Sequence, residues 1–151
     1  MKDKNFINSA LNVIKIESKA VMDLSNQIKS DFDNLCTKIL DTKGKLILMG
    51  IGKSGHIAQK ISATLSSTGT SSFFIHPTEA AHGDLGMISK QDAILILSNS
   101  GETKEIIEIL PALKRSTTNI FTLTNNNQST IGKAGKINLV ISADEEACPL
   151  D

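Results

Sequence analysis

An α/β fold built on a single parallel sheet is what this sequence predicts, and three observations carry that expectation. Five short apolar segments, Leu46–Met49, Ser71–Ile75, Ala93–Leu97, Ile120–Leu123 and Ile137–Ile141, alternate with stretches of helical spacing, the pattern of right-handed β–α–β crossovers. Two of them, Leu46–Met49 and Ala93–Leu97, are continuously apolar, as strands buried on both faces require. The first is followed at once by Gly50, Gly52 and Gly55 and then by helical spacing at Ile57, Ile61 and Leu65. Strand, glycine loop and helix in that order form a ligand-binding unit of open parallel sheets.

The remaining elements follow in order. Phe6, Ala10, Val13, Ile14, Val21, Leu24 and Ile28 predict one long amphipathic helix. Phe32, Leu35, Cys36, Ile39 and Leu40 predict a second, shorter one, with Gly44 as its stop. Residues 1–43 thus read as a helical arm ahead of an α/β core at 44–151. After the second strand, His76–Gln91 has too little periodicity for a full helix, and only Thr78–Ala81 suggests a turn. A connection of that length is more often functional or mobile than idle. Ile106, Ile107, Leu110 and Leu113 mark a helix after the third strand, with Pro111 expected to kink or break it. Thr124–Thr130 is a polar loop, Ser129–Ala134 a short helix, and the tail from Ser142 has no periodicity.

Composition narrows the function. The 151 residues suffice for one domain with a real core. Sixteen basic and sixteen acidic residues cancel without a basic stripe, which argues against nucleic acid and anionic membranes as partners. No apolar run is long enough to span a bilayer, and no apolar segment follows the first lysines as in a signal peptide. Cys36 and Cys148 form no C-x-x-C pair, which fits a reduced, cytoplasmic protein.

The first loop admits three readings. Gly50-Ile51-Gly52-Lys53-Ser54-Gly55 fits the dinucleotide fingerprint G-x-G-x-x-G. That reading wants an acid at the end of the second strand, where His76 and Pro77 stand instead. A P-loop would need glycine at position 47, which is Ile47. The third reading is a small phosphorylated ligand. Unpaired N–H groups at a helix start favour an anion, and Lys53 adds a full positive charge. The second loop bears on the choice. Ser98, Ser100 and Thr103 lie within six residues, just after a buried strand. One hydroxyl suffices for helix capping, whereas three with free N–H groups form a cup for one phosphate.

These stretches, with His76–Met87 (HPTEAAHGDLGM) between them and Glu146–Leu150 (EACPL) at the end, resemble the sugar isomerase (SIS) fold, and more closely the arabinose-5-phosphate isomerase family. The resemblance runs from about residue 44 to the end. It implies a three-layer α/β/α sandwich with a five-stranded parallel sheet, an assembly of four subunits, and no metal or organic cofactor. It also implies interconversion of ribulose 5-phosphate and arabinose 5-phosphate, which supplies the octulosonate (KDO) pathway of lipopolysaccharide. By motif, Lys53, Glu105 and Glu146 match catalytic residues of that family. Ser54, Gly69, Thr70 and His82 match substrate contacts, and Ser98, Ser100 and Thr103 its phosphate cup. His76 matches a residue associated with inhibitory zinc; with His82 alone it falls short of the three protein ligands a zinc site needs.

The chemistry suits the residue types. Moving a carbonyl between C1 and C2 needs a base at carbon and an acid for the oxygens. A carboxylate in a partly dry site has the raised pKa for that work, and a fixed lysine can stabilise the enediolate. Which glutamate is the base stays open, as does a non-catalytic sugar-phosphate sensor. Members of the resembled family continue past this point with a helix, a catalytic histidine and usually two CBS domains. An isolated core is therefore expected to bind pentose phosphate and turn it over slowly.

Overall fold

The computed structural model describes residues 5–148; Met1–Lys4 and the end of the EACPL stretch, Pro149 and Leu150, lie outside them. The elements in order are α1 (Phe6–Gln27), α2 (Ser30–Leu40), β1 (Leu46–Met49), α3 (Gly52–Ser67), β2 (Ser72–Phe74) and α4 (Pro77–Ala81). After a 3-10 turn at Asp84–Met87 come β3 (Ala93–Leu97), α5 (Lys104–Ser116), β4 (Asn119–Thr124), α6 (Thr130–Ala134) and β5 (Ile137–Val140). The strands form one five-stranded sheet in the order β2-β1-β3-β4-β5, and every pair is parallel.

Continuous apolar runs become strands here because both faces of the sheet are covered. Successive side chains of a strand point to opposite faces. Ile47, Met49, Ile94 and Ile96 therefore join Ala80 of α4, Ile106, Ile109, Leu110 and Leu113 of α5 and Ile131 of α6 on one side. Leu46, Leu48, Ala93, Leu95 and Leu97 join Leu35 of α2 and Ala58 of α3 on the other. Helix, sheet and helix make the three-layer sandwich that the resemblance implies.

The arm divides in two. Helix α2 puts Leu35 into the core, whereas α1 buries no residue. Among the described residues, the side chains of Gln27 and Lys19 bond α1 to the chain beyond β5. The Gln27 side-chain amide donates to the Ser142 carbonyl and accepts from the Ser142 N–H, both at 2.9 Å. Lys19 Nζ donates to Asp144 at 3.0 Å. Phe6, Ile7, Leu11, Ile14, Val21 and Met22 are left exposed on α1.

Two sequence expectations are corrected. Pro111 does not break α5, which runs unbroken from Lys104 to Ser116. Proline in a helix interior costs about 3 kcal/mol, but each fully buried Ile or Leu contributes about 1.5–3 kcal/mol. Ile106, Ile109, Leu110 and Leu113 are all buried on this helix, so packing wins. Gly44 does not stop α2, which ends at Leu40 with Asp41 as its C-cap. Glycine is needed at 44 for another reason: a Cβ there would collide with the Asp92 carboxylate and the Gln91 backbone.

That carboxylate ties two loops together. Asp92, 3% exposed, accepts the Lys45 N–H on Oδ1 and the Ser89 N–H on Oδ2, each at 2.7 Å. Burial pushes its pKa up, but the bonds from Lys45 and Ser89 and the nearby Lys45 charge outweigh it and hold the group below the usual carboxylate range. A folded pKa below the unfolded one gives stability that is present above the unfolded value and lost as pH falls through the folded one. Asp92→Asn replaces one acceptor by an NH₂ facing a donor. We expect it to cost about 1–3 kcal/mol at neutral pH and to flatten the loss of stability below about pH 4, as read by urea unfolding across pH.

Candidate binding site at the switch point

The chain passes from β1 to β2 on one side, then crosses back past β1 to β3 on the other. The strand order therefore reverses between β1 and β3, and in open parallel sheets ligands bind in the crevice beyond the carboxyl ends of the strands at that point. The loops after these two strands are the two polar loops of the sequence.

The first loop enters α3 directly. Gly52 begins the helix at φ +56°, a left-handed conformation that glycine adopts without strain. Gly50 and Gly55 approach so closely that a Cβ on either would meet the other's backbone. Lys53 and Ser54 thus occupy the first turn of α3, where free N–H groups and the helix dipole favour an anion. Lys53 is exposed, and among the described residues it forms no ion pair.

The second loop is tightly built. The Ser98 hydroxyl, 3% exposed, accepts the Gly101 N–H at 3.1 Å and bonds Thr103 Oγ1 at 2.8 Å. Ser98 is therefore an internal brace of the cup rather than an open face of it. Ser100 is exposed; its Oγ accepts the Glu102 N–H at 3.2 Å, which leaves its own proton to donate outward. Thr103 is the N-cap of α5 by position, yet its side chain makes no capping bond. Glu105 follows in the first turn of α5, exposed.

Other loops lock this one in place. The Asn99 carbonyl accepts from Asn125 N–H at 2.9 Å, and the Gly101 carbonyl from Ile131 N–H at 3.0 Å. Glu102 Oε1 accepts the Thr130 N–H at 2.8 Å. Gly101 sits at φ +68°, and a Cβ there would strike the Ser129 side chain. Sequence reasoning assigned no role here to Glu102 or Ser129. Thr130 lies 28 residues from Glu102, and no local pattern announces such a pairing.

The other expected site residues divide by position. His76 and His82 bracket α4 at the carboxyl end of β2, beside the first loop. His76 Nδ1 accepts the Thr78 N–H at 3.2 Å, so this histidine is the N-cap of α4. Among the described residues no group of three His, Cys, Asp or Glu is arranged to hold a metal. Gly69 and Thr70 do not join the loops within this chain. They follow α3, whose 16 residues span about 24 Å, and stand at the opposite end of the sheet from Lys53. Glu146 is exposed, six residues past the end of β5. Its segment is tied to α1 through Asp144, and among the described residues no bond joins Glu146 to Lys53 or Glu105. A groove of about 680 Å³ lies between the α1–α2 junction and β5 and reaches Asn125, which is bonded to the second loop.

A doubly wound parallel α/β domain with two anion-directed loops at its switch point is thus the class that fold and site define. A family model described as SIS domain matches residues 38–150, and the chain belongs to the SIS domain family. It is 49% identical over 147 residues to the arabinose 5-phosphate isomerase KdsD of Pseudomonas aeruginosa, covering 97% of this chain and 45% of that protein. The KdsD of Yersinia pestis is 47% identical over 146 residues, 97% of this chain and 44% of that one. The chain therefore spans a little under half the length of these curated relatives. Among solved structures, E. coli CFT073 c3406 in complex with arabinose 5-phosphate matches with a TM-score of 0.92 and 39% identity, over 99% of this chain and 80% of the other.

The second loop yields a direct test. Gly101→Ala should lose about 1–3 kcal/mol of stability to backbone strain, together with displacement of Ser129. Gly86→Ala is the control, because nothing lies within 4 Å of its Cβ position and its φ is unstrained; it should stay within about 0.5 kcal/mol. Urea unfolding of both variants reads the difference.

Proposed function

We propose that this chain is the isomerase domain of an aldose–ketose isomerase that interconverts D-ribulose 5-phosphate and D-arabinose 5-phosphate through an enediolate. The observation that carries this reading is the pair of loops at the switch point. One presents Lys53 in the first turn of α3, and the other presents Ser100 and Thr103 ahead of Glu105 in the first turn of α5. Likeness to proteins named arabinose 5-phosphate isomerase, and to a structure in complex with arabinose 5-phosphate, supports the choice of substrate.

In this reading Ser100, Thr103 and the first N–H groups of α5 hold the phosphate, with Ser98 bracing the loop. Lys53 stabilises the negative charge that develops on the enediolate oxygens. Glu105 and Glu146 share the proton transfers at carbon and oxygen. Both carboxylates are exposed in the single chain, so a site closed to water has to form around bound sugar or between subunits. Assembly into a homo-oligomer, a tetramer by family likeness, would also give the exposed apolar side chains of α1 a partner. Gly69 and Thr70, remote within one chain, would then meet substrate only across subunits. Supply of octulosonate and lipopolysaccharide synthesis is the corresponding metabolic role. The exposure of the two glutamates favours a second reading, a domain that binds sugar phosphate without converting it.

NMR of ribulose 5-phosphate incubated with the purified chain distinguishes the two. Isomerase action makes arabinose 5-phosphate signals grow in, and Lys53→Ala or Glu105→Gln slows them about 10²–10⁴-fold. Binding by calorimetry with no product at any enzyme concentration would favour the sensor. In the same calorimetry Ser100→Ala should weaken ribulose 5-phosphate by about 1–3 kcal/mol and leave unphosphorylated ribulose unchanged. Equal loss for both sugars would remove the phosphate cup from the reading.

A further inference from the structure

We propose that Glu102 is a positioning residue for the phosphate loop: its carboxylate latches the loop to the start of α6 and so fixes the hydroxyl of Ser100. The inference rests on the sugar-phosphate reading above and deepens it.

Glu102 lies between the two cup residues, Ser100 and Thr103, and is bonded through both its backbone and its side chain. Its N–H holds Ser100 Oγ at 3.2 Å. Its Oε1 holds the Thr130 N–H at 2.8 Å. Rotation at residue 102 would therefore turn the Ser100 hydroxyl away, and the Thr130 bond opposes that rotation. The bond adds to a second tie one residue away, from Ile131 N–H to the Gly101 carbonyl at 3.0 Å. Helix α6 thereby gives its first two N–H groups to the loop, and its third, on Gly132, to Ser129 Oγ at 3.2 Å.

Charge points the same way. A free carboxylate between two phosphate-binding hydroxyls would repel the ligand. Glu102 is turned instead onto a helix start, where the Thr130 N–H and hydroxyl and, behind them, the Lys133 charge hold its pKa below the usual carboxylate range. The same negative charge is stabilising at a helix N-terminus. The latch thus anchors the loop and directs its one acidic group away from the ligand.

The donor can be removed cleanly. Thr130 is the first residue of α6, where proline is favoured because its missing N–H has no partner within the helix. The preceding Ser129 has φ −64° and ψ 158°, the extended conformation a residue before proline adopts. Thr130→Pro therefore deletes the latch without breaking α6. Glu102→Ala deletes it from the other side, and Glu102→Gln keeps an oxygen acceptor.

Calorimetry with ribulose 5-phosphate and with unphosphorylated ribulose, beside thermal unfolding, tests the proposal on the full chain. Glu102→Ala and Thr130→Pro should each weaken ribulose 5-phosphate about three- to tenfold, the range of one hydrogen bond. The double variant should lose no more than either single one. Glu102→Gln should recover most of the affinity, the thermal midpoint of Thr130→Pro should not fall, and ribulose itself should be unaffected. Wild-type affinity in both single variants would overturn the latch while leaving the sugar-phosphate reading intact. Failure of the wild-type chain to bind ribulose 5-phosphate would overturn that reading, and the latch with it.

Discussion

Parallel pairing of all five strands is the constraint from which the rest of this molecule follows. A parallel pair cannot be closed by a tight turn, so each of β1 to β4 is followed by a return segment that carries the chain back along the sheet. Every strand therefore ends, and α3, α4, α5 and α6 begin, along one rim of the sheet. Strand ends supply backbone that can bend closely, and helix starts supply unpaired N–H groups. That rim is electropositive before any charged side chain is added. Lys53 and the hydroxyl loop strengthen a property the topology already has. The switch point selects where along the rim a ligand has room, because there the connections diverge and leave a gap.

The cost of that design is a sheet with no water-facing side. Both faces need helices, and the two core clusters show how evenly the strands are shared. The residues of β1 and β3 alternate between them, and together they form the dry centre of the domain. The four-residue β1 is enough because all four side chains are buried. Polar side chains enter this interior only when their acceptors are filled, as at Asp92, or when hydroxyl and amide satisfy one another. Thr122 and Thr124 do so with Asn138, at 2.9–3.2 Å.

Much of this was legible in the sequence, for a physical reason. A strand buried on both faces has no polar positions, so Leu46–Met49 and Ala93–Leu97 declared themselves. Helices α1 and α2 were readable from their spacing. The glycine loop was readable because close backbone approach at Gly50 and Gly55 tolerates no side chain. What could not be read depends on neighbours far along the chain. Pro111 misled because the burial that overrides it comes from strands outside its own helix. Gly44 resembled a helix stop although its constraint is the Asp92 carboxylate. Ser98 looked like one of three equivalent hydroxyls, yet depth alone separates it from Ser100. Glu102 drew no role from the sequence, and only folding brings α6 to it. Gly69 and Thr70 carry a family likeness, but one chain leaves them at the far rim.

The amide of Gln27 has a consequence for how the sheet ends. Strand β5 is an edge, and an edge normally offers a row of unsatisfied backbone groups to any passing extended chain. Just beyond β5 the Ser142 N–H and carbonyl are both taken by one side chain that is not part of any strand. Gln27 imitates a single residue of a sixth strand and then stops, because a helix carries it away. The register of the arm against the chain beyond β5 is fixed by the same pair of bonds. A helix that buries nothing thus occupies, with one side chain, both backbone groups that Ser142 would otherwise offer to solvent or to another chain.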